Sequence, residues 1–278
     1  MDNFFEKDEQ IVQLPDGRNL SYSEYGSPSG IPIFQFHGTP GSRIFGLDGN
    51  EVTRAGLRII CPERPGYGKS SPHANYCFFD WVNDVKTLAD QIKLDRFHIL
   101  GVSGGGVFAL ACAALMPENV ISTTIISCPA PISFPSFWVG ISRINKALFI
   151  VSSRYPKWLS LMCSTISVLK KNRTQTKTHE GEAFFQGGIG LETDLLILSN
   201  NWSIPLEKIS IPVYLWHGEC DVLASAVAAK DLAKIIPNCE SYFIANEGHF
   251  IGRNPLVSKR MLERILRSPE KIIYSENN

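Results

Sequence analysis

Short apolar runs alternate with helix-like stretches along most of the chain. Six runs have the length and the β-branched or aromatic content of buried strands, at 33–36, 57–61, 97–102, 121–127, 213–216 and 241–244. Between and after them, helices are predicted at 78–92, 105–115, 225–236 and 255–266. Because strands that alternate with helices form βαβ units, the pattern predicts an α/β domain with a mostly parallel sheet.

The predicted helix at 78–92 has the clearest division into two faces. Its apolar residues recur every three or four positions and are expected to pack on the sheet: Phe78, Trp81, Val82, Val85, Leu88, Ala89 and Ile92. The opposite face carries Asp84, Lys86, Asp90 and Lys93, which are expected in solvent.

The chain opens differently, with two strand-like runs at 11–14 and 20–25. They flank Pro15, Asp16, Gly17 and Arg18, and an Asp-Gly pair supplies the positive φ values of a tight hairpin turn. A hairpin is therefore predicted ahead of the first βαβ unit.

Between Pro129 and Pro205 the strand rhythm stops, and apolar residues recur at helical spacing. This stretch is predicted to be a helical cap, or lid, inserted into the domain. The predicted organisation is a core formed by residues 1–129 and 205–278, with the cap at 130–204.

Composition narrows the functional classes. The chain has 27 basic and 27 acidic residues, so its zero net charge gives no general attraction to nucleic acid, and no nucleic-acid partner is expected. Its seven cysteines are scattered without metal-ligand spacing, which is typical of reduced, buried cysteines and predicts neither a metal nor an oxidising compartment. The acidic N-terminus lacks the features of a secretory signal, so a cytoplasmic location is expected.

One short motif points to a nucleophile. The residues Gly101-Val102-Ser103-Gly104-Gly105 follow an apolar strand and open a helix. In that context G-x-S-x-G places a serine on a sharp turn, where small neighbours let the turn close and let substrate reach the hydroxyl. The alternative is a glycine-rich turn that only packs the strand against the helix.

A nucleophilic serine needs a base, and His249 follows the last predicted strand in Asn246-Glu247-Gly248-His249. Asp221 and Glu219 follow the preceding strand, and spacing alone leaves open which of them orients the histidine. All these residues lie at carboxyl ends of predicted parallel strands, where α/β sheets bind ligands. The alternative reading of His249 is an ordinary histidine of a surface loop.

Acyl transfer also needs two donors for the developing oxyanion. The backbone N–H groups of Thr39, after His37-Gly38, and of Gly104, after the serine, are the candidates, and His37 is interpreted as a structural turn residue. The stretch 64–70 lacks the spacing of a phosphate loop, and 101–106 lacks that of a dinucleotide site. No cofactor is expected.

Taken together, five ordered motifs resemble those of the α/β-hydrolase superfamily, and within it the capped serine hydrolases related to prolyl aminopeptidases and small-ester hydrolases. They are His37-Gly38-Thr39-Pro40-Gly41-Ser42-Arg43, Arg64-Pro65-Gly66-Tyr67-Gly68-Lys69-Ser70, Gly101-Val102-Ser103-Gly104-Gly105-Gly106, Trp216-His217-Gly218-Glu219-Cys220-Asp221 and Glu247-Gly248-His249. The resemblance covers about 16–261. It implies a mostly parallel sheet of eight strands with helices on both faces, a cap after the sixth strand, and Asp221 as the acid.

The expected activity is hydrolysis of a small ester, thioester or amide through an acyl-enzyme, with Ser103, His249 and Asp221 as the catalytic triad. Thr39 and Gly104 differ from the residues usual in prolyl aminopeptidases, which argues against a peptidase, and Ser103 argues against dehalogenases and epoxide hydrolases. Two alternatives stay open: a non-enzymatic ligand-binding or receptor protein, and a carbon–carbon bond hydrolase or perhydrolase. The expected partner is a small-molecule substrate, whose binding residues the sequence does not assign.

The predicted cap has an uneven charge. Residues 130–179 include no acidic residue and eight basic ones: Arg143, Lys146, Arg154, Lys157, Lys170, Lys171, Arg173 and Lys177. The simpler interpretation is a solvated face on helices whose apolar side, with Phe137, Ile141, Ile144 and Leu148, covers the pocket. The alternative is a basic face that draws the protein to anionic lipid or to an acidic substrate, with the apolar side of the helices gating entry.

Overall fold

The computed structural model of the protein describes residues 5–44, 46–171 and 178–267, which form eight strands and nine helices. The strands are β1 Phe5–Gln13, β2 Asn19–Gly26, β3 Ile31–Phe36, β4 Leu57–Pro62, β5 Phe97–Val102, β6 Val120–Ile126, β7 Val213–Gly218 and β8 Cys239–Ile244. The helices are α1 Gly49–Arg54, α2 Phe78–Gln91, α3 Gly104–Leu115, α4 Arg143–Arg154, α5 Pro156–Lys171, α6 His179–Ala183, α7 Ile189–Leu198, α8 Ala226–Ile235 and α9 Pro255–Leu266.

All eight strands belong to one sheet, in the order β1-β2-β4-β3-β5-β6-β7-β8. The pairs β1/β2 and β2/β4 are antiparallel, and every later pair is parallel. After β4 the chain crosses back to place β5 on the other side of β3, so the strand order reverses there. Loops that leave the carboxyl ends on either side of such a reversal open a crevice for ligands.

Two hydrophobic layers cover the sheet, because successive side chains of a strand point to opposite faces. Ile60 and Ile99 belong to the layer under α2, α3 and α8, whereas their neighbours Ile59 and Leu100 belong to the layer under α1 and α9. The mostly parallel sheet with helices on both faces is therefore confirmed.

The first strand and first helix differ from the prediction. β1 begins at Phe5, well before the predicted start, and α1 was not predicted at all. Helix α1 buries only Val52, so it carries no apolar periodicity for a sequence pattern to reveal. It is instead stabilised locally, since the side chain of Asp48 accepts hydrogen bonds from the N–H groups of Asn50 and Glu51.

Asp84 was expected in solvent, and that prediction is wrong. Its side chain is buried and accepts two hydrogen bonds from Arg18, at 2.9 and 2.6 Å. Arg18 lies in the turn between β1 and β2. Of the residues in that turn, only Gly17 has a positive φ, of 86°. The ion pair therefore ties the hairpin to α2, and a long-range partner explains why a charge lies on the inner side of that helix.

The described residues between β6 and β7 form four helices, α4 to α7, and no strand. Phe137 and Ile141 are buried as expected, but Ile144 is 81% exposed, so the prediction that it covers a pocket is wrong. Ile144 lies on the outer face of α4, whereas Phe149 lies on the inner face. The cap boundaries at 130 and 204 stay a prediction, and Arg173, Lys177 and the side chain of Lys171 lie outside the described residues.

Within the described ranges, the helices are too short or too polar to cross a membrane. All seven cysteines are free thiols. Cys61, Cys112, Cys128 and Cys163 are buried as predicted, but Cys77 and Cys220 are exposed, which corrects that prediction.

The Arg18–Asp84 pair generates a stability prediction. Burial raises the pKa of Asp84, although the hydrogen bonds and the charge of Arg18 act to lower it. Arg18→Ala therefore leaves a buried carboxylate without the cation that stabilises its ionised form. We expect a loss of about 2 kcal/mol near neutral pH, below that of a fully buried pair because Arg18 keeps 15% exposure. A folded-state pKa above the unfolded value lowers stability as pH rises, so the loss should be larger at about pH 8 than at about pH 5.

Urea unfolding at the two pH values measures this difference. Asp16→Ala is the control, because it removes only the exposed partner of Arg18 and should stay within about 0.5 kcal/mol of wild type. A loss in Arg18→Ala that does not depend on pH would contradict the assignment.

Candidate active site

Ser103 occupies a strained turn between β5 and α3. Its φ of 53° and ψ of −125° lie outside the regions that side chains other than glycine prefer. Its N–H donates to the carbonyl of Ile126 on β6 at 2.8 Å, which anchors the turn. A Cβ on Gly105 would overlap the carbonyl oxygens of Phe36 and His37, so glycine there lets α3 approach the end of β3.

His249 lies between Ser103 and Asp221. Its Nε2 is 3.0 Å from the Ser103 hydroxyl oxygen, and its Nδ1 is 2.7 Å from Oδ2 of Asp221. An ionised carboxylate only accepts hydrogen bonds, so Nδ1 carries the proton and Nε2 is left to accept from the serine hydroxyl. The Ser127 hydroxyl donates to the carbonyl of His249 at 2.7 Å and holds this loop against the end of β6.

Asp221 is held by hydrogen bonds to both carboxylate oxygens. Oδ1 accepts from the N–H groups of Leu223 and Ala224, at 2.7 and 2.9 Å, and Oδ2 accepts from His249. Burial alone would raise the pKa of Asp221, but hydrogen bonds from His217 and His249 outweigh it and lower the pKa below its usual value. The carboxylate is therefore ionised at neutral pH.

The other candidate carboxylate, Glu219, lies elsewhere. It is exposed and pairs with Lys230 at 3.2 Å, and it shares no hydrogen bond with His249, a residue that the structure also describes. The geometry thus separates two carboxylates that sequence spacing could not. Glu219 belongs to the solvent side of the same loop.

His217 is a contact of Asp221 that the sequence analysis did not single out. It is fully buried, and its Nε2 lies 3.2 Å from the carbonyl of Ala224 and 3.3 Å from Oδ2 of Asp221. Both neighbours accept hydrogen bonds, so Nε2 carries the proton. His217 thereby helps to fix the position of the same carboxylate oxygen that His249 contacts. Its place four residues before Asp221, at the end of an apolar strand, was the available signal.

The segments that carry the two candidate oxyanion donors meet beside Ser103. A Cβ on Gly104 would overlap the Thr39 hydroxyl, and a Cβ on Gly38 would lie 3.5 Å from Cβ of Ser103. Across the described ranges, neither the Thr39 N–H nor the Gly104 N–H donates a hydrogen bond. Two free donors, one of them at the N-terminus of α3, therefore lie next to the serine.

His37 takes the structural place expected of it. Burial lowers the pKa of His37 well below its usual value, so the ring is neutral. Its Nδ1 donates to the carbonyl of Gly38 at 2.8 Å, and its Nε2 accepts from the N–H of Arg64 at 3.3 Å. The ring therefore joins the loop after β3 to the loop after β4.

A buried ion pair beside these loops was missed entirely. Asp194, on α7, pairs with Arg64, on the loop after β4, at 2.7 Å, and both side chains are almost inaccessible. The same carboxylate accepts from the Thr39 hydroxyl at 2.6 Å and from the Tyr67 hydroxyl at 2.9 Å. A single aspartate among the apolar residues of α7 was the signal that could have revealed it.

A cavity of about 160 Å³ opens at Ser103 and His249. Apart from the polar groups of the site and Asn145, its walls are apolar and come largely from the segment between β6 and β7, with α4 and α7 prominent. They include Pro129, Leu148, Phe149, Leu195, Leu198, Leu223 and Ala224. Among the described residues that line it, none is acidic and none is a lysine or arginine.

Comparison with known proteins agrees with this architecture. A family model described as alpha/beta hydrolase fold matches residues 31–149. The AB hydrolase superfamily protein YisY of Bacillus subtilis is 24% identical over 244 residues, which is 79% of this chain and 85% of that protein. The proline iminopeptidase of Xylella fastidiosa is 32% identical over 117 residues, but the match spans only 39% of this chain and 36% of the iminopeptidase.

Among solved structures, an esterase from Exiguobacterium antarcticum superimposes with a TM-score of 0.69. The superposition covers 93% of this chain and 98% of the esterase, at 20% sequence identity. At that identity the likeness concerns the fold, and the chemistry has to be argued from the residues of the site.

Proposed function

We propose that this chain is a serine hydrolase of the α/β-hydrolase superfamily, which cleaves a small, uncharged ester or thioester through an acyl-enzyme. The observation that carries the proposal is the unbroken hydrogen-bonded chain from Ser103 through His249 to Asp221, with 3.0 and 2.7 Å between the donor and acceptor atoms. It favours catalysis over simple ligand binding, since a binding pocket has no need of a base aligned on a strained serine.

In the first half of the reaction, the Ser103 oxygen attacks the carbonyl carbon of the substrate. The hydroxyl proton moves to Nε2 of His249, and the carbonyl π electrons move to the substrate oxygen. Asp221, which is ionised, stabilises the imidazolium and keeps its ring oriented. The negative oxygen is stabilised by the N–H groups of Thr39 and Gly104.

In the second half, the tetrahedral intermediate collapses. The bond to the leaving alcohol or thiol breaks, and His249 gives that group its proton, so an acyl-Ser103 ester remains. Water then attacks this ester while His249 accepts a proton from the water molecule. A second collapse returns the proton to Ser103 and releases the carboxylic acid.

The walls of the cavity support a small, neutral acyl group. Apolar side chains bind an acyl chain by removing it from water, and a cavity of about 160 Å³ suits a short one. An aminopeptidase has to bind the free ammonium group of its substrate, which calls for a carboxylate, and the described lining has none. The ester assignment is therefore preferred over the peptidase activity named for the partly matched iminopeptidases.

Removal of the serine or the histidine tests the mechanism. Ser103→Ala and His249→Ala should each lower kcat for p-nitrophenyl butyrate by about 10⁴ or more, because the residues act as one unit. Asp221→Asn should cost a similar factor, since it disturbs the tautomer of His249. Glu219→Gln is the matched control and should leave kcat unchanged.

A fluorophosphonate probe gives a readout that does not depend on choosing the right substrate. It should label wild type and not Ser103→Ala. Circular dichroism checks that each variant is folded. More than about a tenth of wild-type kcat in Ser103→Ala, or loss of activity in Glu219→Gln, would overturn the assignment.

The cavity predicts the substrate range. Among p-nitrophenyl acetate, butyrate, octanoate and laurate, kcat/KM should be highest for a short ester and lower by about tenfold or more for laurate, because a long chain does not fit. Leu148→Ala enlarges the cavity and should shift the preference towards octanoate. A prolyl arylamide cleaved faster than every ester would show that the enzyme is a peptidase.

A further inference from the structure

The buried carboxylate of Asp194 contacts the loop that carries one proposed oxyanion donor. It lies on α7, which belongs to the segment inserted between β6 and β7, and it accepts directly from the Thr39 hydroxyl. It also forms the ion pair with Arg64. Arg64 extends the connection, because its remaining N–H groups donate to the carbonyls of His37 and Gly38, at 2.7 and 2.8 Å.

The Gly38 contact sets the direction of the Thr39 N–H. The carbonyl of Gly38 and the N–H of Thr39 belong to one planar peptide unit, so holding the oxygen holds the N–H that points the opposite way. The Thr39 side chain is held on its other side by Asp194. Two of the contacts that fix the peptide therefore lead to the same carboxylate, and His37 adds a further hydrogen bond at the Gly38 carbonyl.

We propose that Asp194 is a positioning residue, which acts through Arg64 and Thr39 to aim the Thr39 N–H at the oxyanion. The inference rests on the proposed function. It makes α7 part of the reaction's geometry, since Leu195 and Leu198 of the same helix line the acyl cavity. The packing of α7 against the loops of the site therefore both shapes the cavity and completes the oxyanion hole.

Two substitutions, each of which removes one hydrogen bond to Asp194, distinguish a role in orienting the Thr39 N–H from a role in stabilising the fold. Thr39→Val keeps the shape and the backbone N–H but removes the hydroxyl that fixes the oxyanion peptide. Tyr67→Phe removes a hydroxyl that donates to the same carboxylate and does not reach that peptide. If Asp194 contributed only to folding, the two variants would behave alike.

We expect Thr39→Val to lower kcat for p-nitrophenyl butyrate by about 10- to 100-fold with little change in KM. A misdirected N–H group loses only part of its stabilisation of the oxyanion, whereas deletion of the donor would remove all of it. Asp194→Asn should do the same where it folds. Affinity for a butylboronic acid, whose adduct with Ser103 places an oxygen in the oxyanion hole, should fall in parallel. Tyr67→Phe should keep kcat within about threefold, although its melting temperature falls.

Equal kcat in Thr39→Val, Tyr67→Phe and wild type, with all three folded, would overturn the proposal. So would equal losses of kcat in the two variants. Either result can be told apart from a failure of the proposed function, because in that case wild type would neither hydrolyse the esters nor react with the fluorophosphonate at Ser103.

A separate observation concerns the outer faces of α4 and α5. On α5, Trp158 is 67% exposed, and Leu161, Val168 and Leu169 are each more than half exposed. On α4, Ile144 and Ile150 are exposed as well. The exposed side of a helix in solution is normally polar, so this concentration of exposed apolar side chains on α4 and α5 marks a surface that meets a partner.

Basic residues bound both apolar faces. Arg143 and Arg154 lie at the two ends of α4, and Lys157 and Lys170 lie near the two ends of α5. Lys170 pairs with Glu180 at 2.9 Å. The other three form no ion pair within the described part of the chain. The charges on this surface are therefore largely uncompensated, although the whole chain is neutral.

We further infer that these two outer faces dock on an anionic phospholipid surface. Apolar side chains between cationic ends suit a helix that lies in a membrane interface, where acyl chains meet acidic headgroups. A second copy of the same face would bring like charges together, which disfavours face-to-face dimerisation. The inner side of α4 contributes Leu148 and Phe149 to the acyl cavity, so docking would place the cavity's cover at the lipid.

Sedimentation with phosphatidylglycerol vesicles tests this surface, with phosphatidylcholine vesicles for comparison. Wild type should bind the anionic vesicles at about 0.01 M salt and bind less at about 0.15 M, where the Debye length falls from about 30 to about 8 Å. Trp158→Ser with Leu161→Ser, and Arg154→Glu with Lys157→Glu, should each weaken binding by about tenfold or more.

Controls on α9 have the same chemistry at another surface. Leu256→Ser, and Lys259→Glu with Arg260→Glu, change exposed residues there and should bind as wild type does. No binding of wild type at low salt, or equal binding by all variants, would overturn the inference. Concentration-dependent dimers that Trp158→Ser with Leu161→Ser dissociates would show that a second copy covers the face instead.

Discussion

The arrangement of the site depends on a charge that cannot be neutralised. The Arg64 guanidinium is fully buried, and arginine keeps its proton in proteins, so the fold has to surround it with acceptors. Two backbone carbonyls and Asp194 provide them. Because those carbonyls belong to the loop after β3 and Asp194 belongs to α7, one buried cation determines how the inserted segment sits on the sheet.

A second buried network strengthens the same connection. Arg43, on the loop after β3, pairs with Glu63 at 3.1 Å and with Glu182 of α6 at 2.7 Å. Nearby, the Gln186 side chain donates to the carbonyls of Gly68 and Ser70, at 2.8 and 2.7 Å. The part of the insertion from α6 to α7 is thus bound to the core by charges and hydrogen bonds, whereas α4 and α5 carry the exposed apolar faces.

The two ends of the site use burial in different ways. Around Asp221, two histidines and two backbone N–H groups keep a carboxylate charged despite its removal from water. At the serine, two backbone N–H groups lack a partner among the described residues. At Asp221 the hydrogen bonds that stabilise the charge are already formed. Beside Ser103 the donors are unoccupied, at the place where negative charge would develop in acyl transfer, and such preorganised donors are what that reaction requires.

Much of this followed from order along the chain. Alternating strands and helices predicted the mostly parallel sheet, and a serine on a strand-to-helix turn, then an acid, then a histidine predicted residues that the structure brings together. Such patterns are legible because periodicity and turn chemistry are local properties.

Partner choice was decided only by the tertiary structure. Asp221 and Glu219 leave the same strand two residues apart, and only folding turns one towards His249 and the other towards Lys230. Asp194 and Arg64 are 130 positions apart, and Ile144 faces solvent because of how α4 packs. Sequence spacing specifies which residues share a turn or a face, but contacts across the chain depend on how finished elements pack, and no local pattern encodes that.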